Sequence, residues 1–139
     1  MTYATREDLR SRLGNATYQE IYGAVPAAAD DDLASAAAEI DGALAARYTV
    51  PVVSDAAAPL LKDWTLTLAE ERASARAAGA NFAEKVKDRA AQVRKYLDMI
   101  LADQFQLTGA AANDGDGVAA HVVVSADEPN FTRESLEGY

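Results

Sequence analysis

Leu33, Ala37, Ile40, Leu44 and Tyr48 recur at steps of four, three, four and four. Only a 3.6-residue period puts five such side chains on one face, so this stretch must be a helix that buries a stripe. Phe82, Val86, Ala90, Val93, Leu97 and Ile100 repeat the pattern nearer the C-terminus. Between them, Leu61, Trp64, Leu68 and Ala75 mark the inner side of a third helix. Three amphipathic helices of this kind can bury their stripes only against one another, which predicts an all-α small helical bundle.

The punctuation sets the limits. Thr5 with Asp8 three residues on is a capping-box-like start for a short leading helix through Leu9 and Leu13, stopped by Gly14. Thr17–Tyr22 adds one more turn before Gly23 and Pro26. The first long helix opens at Asp30-Asp31-Asp32 and ends before Pro51, because a residue ahead of proline is pushed toward extended geometry. Pro59 suits the first turn of the next helix, which runs to about Gly79. Asn81 and Glu84 make a second capping-box pattern, and the last helix runs from Phe82 to about Gln106.

Beyond Leu107 the periodicity ends. The stretch 109–117 holds glycine, alanine, asparagine and aspartate and no bulky apolar residue, so it reads as a flexible linker. His121 to Val124 has the composition of a short strand, and Thr132 can cap a single turn near the end. The expected organisation is a helical domain over 1–108 and a linker with an extended C-terminal arm over 109–139. Phe131, Leu136 and Tyr139 are large apolar groups on an otherwise polar end, which makes them anchors for a partner.

Alanine supplies much of the 50% apolar content and aromatics only 7%. Alanine favours helix but buries little surface, so the core is expected to be thin and a neighbouring subunit to add to its stability. Net charge is −9. Residues 1–108 carry 12 basic and 16 acidic side chains, and residues 109–139 carry one and six. Such a balance opposes free-standing nucleic-acid binding and attraction to an anionic membrane. No apolar run has the length of a signal peptide or a membrane span, so synthesis in the cytoplasm is expected.

Chemistry-bearing patterns are few. There is no cysteine and one histidine, His121, which reads as an ordinary strand residue. Glu70 and Glu71 lie mid-helix with no Glu-x-x-His pair for a di-metal site, and the expectation is that they are solvated or paired with Arg72 and Arg76. Asp114-x-Asp116-Gly117 fails as a calcium loop, because the first ligand position falls on Ala112 and the closing one on Val123. Lys85, Lys87, Arg89, Arg94 and Lys95 are diluted by Glu84, Asp88 and Asp98, the mark of a solvated face. No metal and no cofactor is expected.

Three segments resemble one family. Tyr3-Ala4-Thr5-Arg6-Glu7-Asp8-Leu9 is similar to its "Tyr-Ala-Thr-x-x-Asp-Leu" start. The stretch from Ala37 to Pro51 resembles its "Ala-x-x-Glu-Ile-Asp-x-x-Leu-x-x-Arg-Tyr-x-x-Pro" pattern, and the stretch from Phe131 to Tyr139 its "Phe-Ser/Thr-Arg-Glu/Asp-Ser-Leu-x-Gly" ending. The family is that of the head–tail connector (adaptor) proteins of Mu-like tailed phages. The resemblance implies a non-enzymatic virion protein at the neck, forming a ring usually taken to have twelve copies below the portal protein. It also implies a C-terminal segment that docks on the portal, here through Phe131, Thr132, Arg133, Leu136 and Tyr139. A stopper or tail-completion protein would join the lower face, and DNA would pass through the bore without sequence-specific binding. An acidic wall suits that role, since it repels phosphates.

Arg47, Tyr48 and Pro51 are expected to make an inter-helix or inter-subunit contact. In this reading Tyr48 ends the inner stripe, Pro51 fixes the loop exit, and Arg47 pairs with a carboxylate of the third helix or of the adjacent subunit. Two readings from other classes compete. A small helical regulatory module, a transcription factor or antitoxin, would need a basic recognition helix. An enzyme would need a carboxylate-lined pocket between helices.

Overall fold

A computed structural model describes residues 2–77 and 80–112, with the side chains of residues 80–83 outside the description. Among the described residues the chain forms five helices: α1 Arg6–Leu13, α2 Asn15–Tyr22, α3 Ala27–Leu44, α4 Ala58–Arg76 and α5 Ala80–Leu101. The fold is an all-α small bundle. Helices α3, α4 and α5 pack on one another, α1 lies on α3 and α4, and α2 rests on α1 and α3.

Local chemistry explains the first turns. The Thr5 hydroxyl accepts from the Asp8 amide at 3.2 Å, and an Asp8 carboxylate oxygen accepts from the Thr5 amide at 2.8 Å, a complete capping box. Gly14 then takes φ +91, a conformation that L side chains rarely adopt. One glycine thus ends α1 and begins α2, and the expected single turn after it is instead a helix of two turns.

The stripes pack as their spacing predicts at most positions; Ala75 is an exception, being exposed while Ala73 faces inward, and the Phe82 side chain lies outside the described residues. Leu33, Ile40 and Leu44 of α3 meet Leu61, Trp64 and Leu68 of α4 and Val93, Leu97 and Ile100 of α5, all buried. Ala29, Ala36, Ala69, Ala73 and Ala90 have no exposed surface. At these positions the absence of a long side chain lets the helices approach closely, and packing replaces bulk as the source of cohesion.

Several limits differ from the sequence reading. α3 begins at Ala27, three residues before the acid run, because three alanines after Pro26 already favour helix. α4 ends at Arg76. α5 begins at Ala80, which puts Asn81 inside the first turn and not at its cap. It ends at Leu101 in a Schellman turn: the Gln104 amide donates to Met99 O at 2.7 Å and the Asp103 amide to Ile100 O at 3.0 Å. Asp103 occupies the left-handed position at φ +64, where glycine is the usual residue. Beyond it, Phe105 turns back onto a stacked Trp64–Tyr96 pair whose centroids are 5.8 Å apart.

The acids inside the bundle are committed to arginines. Glu70 is 3% exposed and lies between Arg12 of α1 and Arg89 of α5, at 3.5 and 3.4 Å. Arg94 of α5 reaches Glu39 of α3 at 3.0 Å and Glu71 of α4 at 2.7 Å, and Arg72 also leans toward Glu39. Buried Asp32 receives the Tyr22 hydroxyl at 2.6 Å and a two-pronged contact from Arg76 at 2.8 and 2.9 Å. The expected pairing of Glu70 and Glu71 with Arg72 and Arg76 is therefore replaced by pairing between helices. A long guanidinium can cross to another helix while keeping its exposed edge wet. Hydrogen bonding from Arg94 holds the Glu71 carboxyl below its usual range.

Candidate functional site around Arg47, Tyr48 and Pro51

α3 stops at Leu44, and the amides of Arg47 and Tyr48 both donate to the Leu44 carbonyl, at 2.9 and 2.8 Å. This tight turn sends two consecutive side chains in different directions. Arg47 is exposed and reaches the C-terminus of α5, donating from Nη2 to Leu101 O at 2.9 Å. Its Nη1 stands 3.8 Å from Asp103 Oδ1. The expected carboxylate partner on the third helix is thus corrected: the stronger contact is a backbone carbonyl left open at the end of α5. A guanidinium there also meets the negative end of the helix dipole.

Tyr48 is half-buried, past the end of α3, and does not extend its stripe. Its Oη accepts the Leu107 amide at 2.9 Å. Tyr48 and Ala112 form an isolated antiparallel bridge, and the Thr49 amide donates to Ala111 O at 2.9 Å. Ser54 donates to Thr108 O at 3.0 Å. Residues 108–112, whose composition reads as linker, lie along the loop that follows α3. Small residues carry no sequence signal for such a path, because backbone groups and hydroxyls make its bonds.

Pro51 is exposed and follows a cis peptide bond. Val52 behind it is buried, and its amide donates to Tyr3 Oη at 2.9 Å. The same Tyr3 hydroxyl donates to Asp41 of α3. Burial, and then the bond to Asp41, push the Tyr3 phenol up to about 12, so it stays a neutral donor. Val53, in contrast, is 85% exposed.

One loop therefore gathers the N-terminal segment, the end of α5 and the departing chain. A surface cleft of about 330 Å³ opens among Arg47, Tyr48, Asp103, Gln106, Leu107 and Ala110. Its polar groups are one guanidinium, one carboxylate, an amide and a phenol already used as an acceptor. Such a set can grip backbone and polar side chains; it contains no nucleophile beside a base. Among the described residues no group of three His, Cys, Asp or Glu side chains could hold a metal ion. No helix among them is long and apolar enough to cross a membrane.

The predicted docking residues Phe131, Thr132, Arg133, Leu136 and Tyr139 lie outside the described residues, as do His121 and the Asp114–Gly117 stretch. The structure brings Arg47, Tyr48 and Pro51 into one loop and adds to them Tyr3, Ser54, Leu107 and Gly109. Those four had no shared spacing by which sequence could have joined them.

No curated protein and no solved structure matches this chain. A family model described as bacteriophage Mu, Gp36 matches residues 3–125. The match takes in all five helices, the Arg47–Pro51 loop and the segment lying along it, and stops before Phe131. With nearly the whole chain and its central loop covered, this protein belongs to the bacteriophage Mu Gp36 family of phage proteins.

Proposed function

We propose that this phage protein is a structural, non-enzymatic subunit of the virion neck, a head–tail connector (adaptor). In this reading copies form a ring below the portal protein, grip it through the C-terminal arm, and receive a stopper or tail-completion protein on the far side. DNA passes through the bore. The observation that carries the reading is the loop around Arg47 and Tyr48 within a phage-family chain. It holds the root of the C-terminal segment against the body by several bonds, as a subunit that works through that segment requires.

Two further observations support it. The buried or half-buried acids Asp32, Glu39, Glu70 and Glu71 each face an arginine, which leaves them as ties between helices. On α5, Arg89 and Arg94 turn toward those acids, which takes two of its five basic side chains away from a DNA-reading face. Phe131, Leu136 and Tyr139 are the proposed anchors, since burial of each large side chain in a partner's groove contributes about 1.5–3 kcal/mol.

Changing Phe131 and Leu136 together to alanine tests the reading. Thermal unfolding of the double variant should match the parent, while co-sedimentation with the portal protein is lost. Undiminished co-sedimentation would remove the anchor assignment.

A further inference from the structure

Gly109 has φ +76, and a Cβ added to it would lie 2.7 Å from Ser54 Oγ. A side chain there is strained by the backbone conformation and makes the Ser54 hydroxyl shift. Ser54 is itself engaged on both sides: its hydroxyl donates to Thr108 O at 3.0 Å and accepts the Ala57 amide at 3.2 Å at the start of α4. The ties from Leu107 to Tyr48 and from Thr49 to Ala111 flank this contact. Leu107 is buried, whereas 108, 109, 111 and 112 are exposed. Hydrogen bonds and close fit, more than buried area, hold residues 108–112 in place.

We propose that Ser54 and Gly109 form a latch that fixes the root of the C-terminal segment beside Arg47 and Pro51, so that the segment meets its partner from a set point. The inference rests on the docking reading above. If opening the latch also releases the flanking Thr49–Ala111 and Tyr48–Ala112 ties, five more residues are free from Leu107 onward, and the root can wander by up to about 17 Å. That freedom must be given up again on docking, so an open latch weakens docking by about tenfold.

The chain has no cysteine, and the added Cβ at Gly109 would stand 3.8 Å from Ser54 Cβ, within the span of a disulfide at about 3.5–4.5 Å. The full-length variant with Ser54→Cys and Gly109→Cys can therefore open and close the latch in one protein. Reduced, it should bind the portal protein about tenfold more weakly than the parent; oxidised, it should bind at least as tightly as the parent. Equal binding by parent, reduced and oxidised forms overturns the latch and leaves the docking reading intact.

Failure of the parent itself to bind the portal removes the docking reading. The latch is then judged by amide exchange alone. Gly109→Ala should speed exchange at Leu107 and Thr49 at least about tenfold while Ile40 in the core keeps its rate. Unchanged rates at Leu107 and Thr49 overturn it.

Discussion

Arg47 donates to the backbone carbonyl of Leu101 across 2.9 Å, so the turn that ends α3 also caps the end of α5. One charge-assisted bond and one favourable dipole contact are at stake, and the side chain is about 42% exposed. Arg47→Ala should cost about 1 kcal/mol, read as a lower urea midpoint at unchanged slope. A variant as stable as the parent would reduce the contact to an ordinary surface arginine.

Asp103 presents the opposite case. It holds φ +64, where a side chain is strained, and its contact with Arg47 is a long 3.8 Å. Relief of the strain should outweigh loss of an exposed ion pair. Asp103→Gly is expected to stabilise the protein by about 0.5–1 kcal/mol in the same titration. A loss of stability would show that the aspartate is held there for its charge.

These two residues also show what sequence can carry. The α3 and α5 stripes were legible because their bulky apolar residues recur at helical spacing, among alanines in α3 and among charged residues in α5. The end of α5 was not, since its Schellman turn uses Asp103 in place of glycine and Phe105 prolongs the apolar pattern. Glu70 reads as a solvated mid-helix acid because its partners, Arg12 and Arg89, come from two other helices. Within the site, the family-like pattern drew attention to Arg47, Tyr48 and Pro51. The partners of Arg47 and Tyr48 are a backbone carbonyl and a backbone amide, and such contacts leave no mark in a sequence.

Titration should expose the inter-helix ties. Hydrogen bonds from Arg94 depress the Glu71 carboxyl, and those from Lys62 and the Thr5 amide depress Asp8. A carboxyl lowered on folding adds stability above its unfolded value, about 4, and that gain is lost as pH falls through the folded value. The urea midpoint should therefore be level near neutrality and drop below about pH 4, less steeply in Glu71→Gln. A Glu71→Gln profile with the parent's slope would sever the link.

At the alkaline end the sign reverses. Tyr3 is raised to about 12, so its contribution is complete below the unfolded phenol value, near 10, and disappears as pH rises through about 12. Tyr3→Phe should be less stable at neutral pH and should lose less between pH 10 and 12 than the parent. Parallel curves for the two proteins would argue against the Tyr3–Asp41 bond.

The alanine core makes a packing prediction. Ala36 has no exposed surface where α3 faces its neighbours. Ala36→Leu should cost about 1–3 kcal/mol or more by forcing those helices apart, measured by thermal unfolding with helical content followed by circular dichroism. An unchanged midpoint would mean that the helices are not closely packed there.

Mass measurement of the purified protein, alone and mixed with its portal protein, bears most directly on the connector reading. The protein alone should appear as a small species, and the mixture should yield a ring of many copies seated on the portal. A mixture in which the two proteins remain separate at every ratio would contradict it.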